Sequence, residues 1–99
     1  MSYASIKGGI TNLTRQMASY YGKHNIRVNT LCPGGISGHV AGKSDKQDPL
    51  FVKNYCNKIP LKRMSNPDEI ASVALFLASD AASYITGATI MVDGGWTAI

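Results

Sequence analysis

The run Ile26-Arg27-Val28-Asn29-Thr30-Leu31-Cys32 is β-branched at Ile26, Val28 and Thr30 and is stopped by Pro33-Gly34, so it reads as one strand. Apolar residues fall on both of its faces, the pattern of a strand buried inside a parallel sheet. Such a strand requires helices on both sides. That requirement limits the chain to an α/β layer arrangement.

The flanking sequence supplies the helices. Residues 2 to 21 read as one helix, with Ser2 as N-cap candidate and Ile6, Ile10, Leu13, Met17 and Tyr20 as an apolar stripe. Gly22 is expected to end it, and the adjacent Gly8 and Gly9 suggest close packing against another element. Asp48-Pro49 starts a short helix carrying Phe51, Val52 and Tyr55, closed by Ile59. A third helix follows Asn66, which can cap it; Pro67 suits its first position, Asp68 the dipole, and Glu69 completes a capping box. Its Ile70, Val73, Ala74 and Leu77 form the stripe of a helix lying on a sheet. Thr86 to Val92 reads as the last strand, Asp93-Gly94-Gly95 as a tight turn, and Trp96, Thr97 and Ile99 as an apolar tail.

Ninety-nine residues make one small domain of marginal stability, and a hydrophobic content of 44% argues against disorder of the whole chain. The net charge of +4 comes from lysines and arginines interleaved with Asp45 and Asp48, without a basic run. A solvated surface explains it, and no nucleic-acid partner is expected. Cys32, Cys56, His24 and His39 lack metal-ligand spacing, so free thiols in a reducing compartment and no metal are expected; His39 reads as a solvated loop residue. Met1 is followed by polar residues and a helix instead of an apolar leader, and no apolar stretch reaches membrane-spanning length. A cytoplasmic protein with no membrane partner is expected.

Two places carry candidate chemistry. Tyr3 and Lys7, four residues apart, share a face of the first helix. A phenol titrates near pH ~10, so a neighbouring ammonium and the helix N-terminus would favour its phenolate and make it a usable proton-transfer group. Pro33-Gly34-Gly35-Ile36 follows the carboxyl end of the strand, where open α/β sheets bind ligands.

Taken in order, Tyr3-x-x-x-Lys7, Ile26 to Gly34, Pro60-Leu61-Lys62-Arg63, Pro67-Asp68-Glu69-Ile70-Ala71, Phe76-Leu77-Ala78-Ser79, Tyr84-Ile85-Thr86-Gly87 and Val92-Asp93-Gly94-Gly95 resemble the C-terminal part of the short-chain dehydrogenase/reductases. The resemblance covers nearly the whole chain. It implies the C-terminal portion of a single Rossmann-type, doubly wound parallel sheet, with about two strands and three to four helices. It also implies hydride transfer between NAD or NADP and a carbonyl or alcohol carbon of a small molecule. Tyr3 would be the acid/base, Lys7 would lower its pKa and bond the nicotinamide ribose, and Pro33, Gly34, Gly35, Ile36 and Ser37 would meet the nicotinamide. The family often has a Thr where this chain has Gly38, and Ser37 is the candidate substitute. The family's tails and first helix also form subunit contacts, so a homo-oligomer is expected.

The glycine-rich phosphate turn, the catalytic Ser and the helper Asn of that family would all precede Tyr3, and no such turn lies in this chain. The N-terminal dinucleotide-binding half is therefore absent from it, and weak cofactor binding with little activity is expected of the 99 residues alone. The competing expectation is a catalytically silent remnant or an oligomerising module.

Overall fold

The computed structural model describes residues 3–38 and 48–99. Ser2, expected to cap the first helix, and His39, expected in a solvated loop, lie outside the described residues. Three α-helices, α1 (Tyr3–Tyr21), α2 (Pro49–Lys58) and α3 (Pro67–Ala78), accompany two strands, β1 (Thr30–Pro33) and β2 (Thr89–Val92), paired in one sheet. Thr30 N–H donates to the Ala88 carbonyl and Gly34 N–H to the Val92 carbonyl, each at 2.9 Å. Four residues on one strand match four on the other in the same direction, so the pair is parallel. No described helix is long and apolar enough to cross a membrane.

The chain forms two compact units, residues 1–31 with 74–90, and residues 32–73 with 91–99. In the first, α1 does not stop at Gly22. A 3-10 turn continues through Gly22–His24, and Asn25 ends it in the left-handed region at φ 60°, its N–H bonded to the Gly22 carbonyl. The buried residues of α1 are Thr14 and Ala18, not the apolar stripe. Ile6, Ile10, Leu13, Met17 and Tyr20 are all exposed, Leu13 by 57%. The close packing expected at Gly8 and Gly9 is also not found: no described atom lies within 4 Å of where a Cβ would stand on either.

Both strands are shorter than expected, for one shared reason. The Asn29 side chain intervenes between their N-terminal ends: its Nδ2 donates to the Ile85 carbonyl at 2.9 Å and its Oδ1 accepts the Ala88 N–H at 3.0 Å. Val28 N–H goes to the Thr86 hydroxyl while its carbonyl accepts from Gly87. A side-chain amide and a hydroxyl therefore replace ladder bonds over residues 26–29 and 86–88, and regular pairing starts only at Thr30 and Thr89. Arg27 ties the same region together, donating to the carbonyls of Ile85 and Ser79 at 3.2 and 3.3 Å, beside the fully buried Ala82. Residues 27–32 are half-buried and Ile26 is exposed, so within this chain the strand is not covered on both faces.

In the second unit the local signals hold. Asp48 caps α2 by accepting the Leu50 N–H at 3.0 Å. Asn66 Oδ1 accepts from Asp68 N–H while Glu69 Oε1 accepts from Asn66 N–H, a reciprocal capping box at the start of α3. Arg63 adds a bidentate pair to Glu69 at 2.6 and 2.9 Å. That guanidinium, with the Asn66 N–H, lowers the Glu69 carboxyl to about 2. Ile59, 2% exposed, and Met64 form the small core.

Candidate functional site

Tyr3 is the first residue of α1, and Lys7 stands in the same helix one turn later. The helix continues regularly past them, with the Thr11 hydroxyl donating back to the Lys7 carbonyl at 3.3 Å.

Pro33, Gly34, Gly35, Ile36 and Ser37 lie together at the carboxyl end of β1, in the second unit. Three contacts hold this short segment. At Gly34 a Cβ would stand 2.8 Å from Asp93 Cα, so the chain passes the end of β2 at a distance only glycine permits. At Gly35 a Cβ would stand 2.6 Å from the Tyr55 ring, and the Gly35 N–H donates to the Tyr55 hydroxyl at 2.9 Å. Ile36 forms a parallel bridge with Ser65: Ser65 N–H and hydroxyl donate to the Gly35 carbonyl at 2.9 and 3.0 Å, and Ser37 N–H donates to the Ser65 carbonyl at 2.8 Å. In a parallel bridge of this kind the partner bonds the residues before and after, so Ile36's own N–H and C=O face away from Ser65. One residue thus directs a donor and an acceptor to the side opposite Ser65.

The partners Tyr55, Ser65 and Asp93 were not among the residues expected at the site. The only sequence signal for them was the adjacent Gly34-Gly35, which implies two close approaches without saying to what.

Asp93 organises the turn after β2. Its Oδ1 accepts the Gly95 N–H at 3.0 Å, and its Oδ2 accepts the Thr97 hydroxyl and N–H at 2.7 and 3.2 Å. The Thr97 hydroxyl, then these N–H groups, hold its carboxyl below the usual aspartate range. A cavity of about 430 Å³ opens nearby, lined by Pro60, Leu61, the Arg63–Glu69 pair and Gly94-Gly95. Of the five segment residues it reaches only Gly35, whose carbonyl Ser65 bonds. No group of three or more His, Cys, Asp or Glu able to hold a metal occurs among the described residues.

Residues 1–97 match the family model described as Enoyl-(Acyl carrier protein) reductase. The chain is 41% identical over 102 residues to 2-(S)-hydroxypropyl-CoM dehydrogenase 3 of Xanthobacter autotrophicus, covering 99% of itself and 40% of that relative. It superposes on 4-hydroxyisoleucine dehydrogenase complexed with NADH with TM-score 0.86 and 35% identity, covering 98% of itself and 40% of that chain. The short-chain dehydrogenase of Leptospira borgpetersenii with bound NAD+ gives TM-score 0.82 at 39% identity over 96% of this chain and 35% of the other. The chain thus spans about 40% of the length of the relatives it matches. A parallel β1–β2 pair, a glycine-tight segment at its carboxyl end and a match running from residue 1 to 97 all lead to one assignment: the chain belongs to the short-chain dehydrogenase/reductase family.

Proposed function

We propose that these 99 residues are the C-terminal portion of a single Rossmann domain in an NAD(P)-dependent oxidoreductase, and that they carry its proton-transfer pair and its nicotinamide contacts. The observation that carries this reading is the outward N–H and C=O of Ile36, a donor and acceptor matched to the two ends of a carboxamide. Bound nicotinamide dinucleotide would supply the hydride chemistry. This chain's residues do the rest. Ile36 orients the carboxamide and Ser37 lies next to it, while Gly34 and Gly35 let the backbone approach closely. Tyr3 gives a proton to the substrate oxygen on reduction or takes it on oxidation, and Lys7 holds the phenol in a readily ionised state and bonds the nicotinamide ribose.

The substrate is a small alcohol or carbonyl compound. The matched relatives are, by their names, dehydrogenases of 2-(S)-hydroxypropyl-CoM and of 4-hydroxyisoleucine, so the family's substrates are diverse. A second reading is favoured by the exposed stripe of α1: the segment is an assembly module with no activity of its own.

Calorimetry separates the two. The 99-residue chain alone should bind NADH or NADPH only weakly, and joining it to a dinucleotide-binding half from a relative should bring micromolar affinity at one site per chain. Low-micromolar binding by the chain alone, or none by the joined protein, contradicts the proposal.

A further inference from the structure

Around the Gly34-Gly35 segment the second unit closes a circuit of contacts that uses residues outside the family motifs quoted above. Gly34 lies against the Asp93 backbone. Asp93 fixes the turn that follows it, with the Trp96 N–H donating to its carbonyl at 3.2 Å and its carboxylate taking Gly95 and Thr97. The Trp96 ring stacks on Tyr55, with centroids 5.1 Å apart and planes 9° from parallel. Phe51 supports the other neighbour contact of Tyr55 at 5.9 Å. Tyr55 returns to the segment twice, through its hydroxyl to Gly35 N–H and through its ring edge, which occupies the place a Gly35 Cβ would take.

From this geometry we infer that Tyr55 is a positioning residue for the nicotinamide carboxamide, with Trp96 as its backing; the inference rests on the reading that Ile36 bonds that carboxamide. The Ile36 N–H belongs to the Gly35–Ile36 peptide, whose carbonyl takes two bonds from Ser65, while the preceding Gly34–Gly35 peptide is not reached by that bridge and is joined to it through a glycine, the residue freest to turn. The Tyr55 hydroxyl accepts the N–H of the Gly34–Gly35 peptide and its ring stands against Gly35, so that with Ser65 on the following peptide both sides of Gly35 are held. The direction of the Ile36 N–H and C=O is thereby set by Ser65 directly and, through Gly35, by Tyr55 with Trp96 behind it. Tyr55 touches neither substrate nor cofactor in this account and acts through Gly35.

The test uses the 99-residue chain and reads backbone amides by NMR, with β-nicotinamide mononucleotide as probe and ribose 5-phosphate as the control that lacks the carboxamide. In the wild type the mononucleotide should slow exchange at the Ile36 amide and ribose 5-phosphate should not. Tyr55→Phe keeps the ring and loses one hydrogen bond, so Gly35 exchange should rise about fivefold and mononucleotide affinity fall by a similar factor, with ribose 5-phosphate binding almost unchanged and the melting temperature lower by no more than ~4–8 °C. Trp96→Leu keeps the hydroxyl but frees the ring, and a smaller loss in the same direction is expected. If the wild type treats the two probes alike, the carboxamide reading and this inference both fall. If it discriminates and Tyr55→Phe discriminates equally well, or Gly35 exchange is unchanged, only the inference falls. Should Tyr55→Phe not fold, undiminished discrimination in Trp96→Leu overturns it.

Discussion

Alanine at Gly34 and alanine at Gly8 should move stability in opposite directions, for reasons fixed by what surrounds each. At Gly34 the new Cβ would lie 2.8 Å from Asp93 Cα and 3.0 Å from Asp93 Cβ. Carbon pairs are comfortable at ~3.5–4.0 Å, so about 0.7 Å or more must be opened. The obstacle is backbone, and it is tied to the same residue by the Gly34 N–H bond to Val92, so it cannot swing aside like a side chain. Overpacking of this kind costs ~1–3 kcal/mol. At Gly8, inside α1, nothing described lies within 4 Å, and replacing a helical glycine by alanine gains up to ~1 kcal/mol. One kcal/mol shifts the melting temperature of a chain this size by ~4–8 °C. Thermal melts followed by circular dichroism should therefore show Gly34→Ala lower by at least ~4 °C and Gly8→Ala higher by a few degrees. A Gly34→Ala protein melting at or above wild type would refute the close approach, and a Gly8→Ala protein melting below it would show that this side of α1 is covered.

Two further outcomes follow from the electrostatics and the exposed surface. Glu69, held at about 2 against an ordinary value of 4.5 by Arg63 and then by the Asn66 N–H, stabilises the fold fully above its unfolded value, and that contribution is lost as pH falls toward 2. The gap in melting temperature between wild type and Glu69→Gln should therefore be widest above about pH 5 and shrink as pH falls toward 2, and a gap that does not shrink refutes the pairing. The exposed Ile6, Ile10, Leu13 and Met17 stripe should drive self-association, so Leu13→Lys should lower the sedimentation coefficient at micromolar concentration; a wild-type monomer with a cooperative melt would contradict this.

Features whose partners are a few residues away were legible in the sequence. The box of Asn66 and Glu69 and the cap at Asp48 needed only local spacing, and the structure has both. Strand starts were not legible, because Asn29 and Thr86 replace ladder bonds with side chains, and nothing in a propensity pattern reveals a partner 59 residues on. The apolar stripe of α1 was visible as a pattern, but which face is buried depends on what lies over it, and within this chain Thr14 and Ala18 are the covered positions. Thr14 reaches the Thr30 hydroxyl from there. In the candidate segment, the place of Pro33 to Ser37 at the end of a strand was legible, whereas its contacts with Tyr55 and Ser65, 20 and 30 residues from Gly35, were not.

If Tyr3 moves the proton in a nicotinamide-dependent reaction, the turnover of Tyr3→Phe shows it once the chain is joined to a dinucleotide-binding half from a relative. Positioned acid/base groups contribute ~10²–10⁴-fold, so the variant should lose at least ~100-fold in kcat while its NAD(P)H dissociation constant stays within a factor of two or so. Lys7→Ala should harm both quantities. Turnover of Tyr3→Phe near the unsubstituted rate would contradict the account, because the phenol would then not be the acid and the Tyr3–Lys7 pair would be no more than neighbours on a helix.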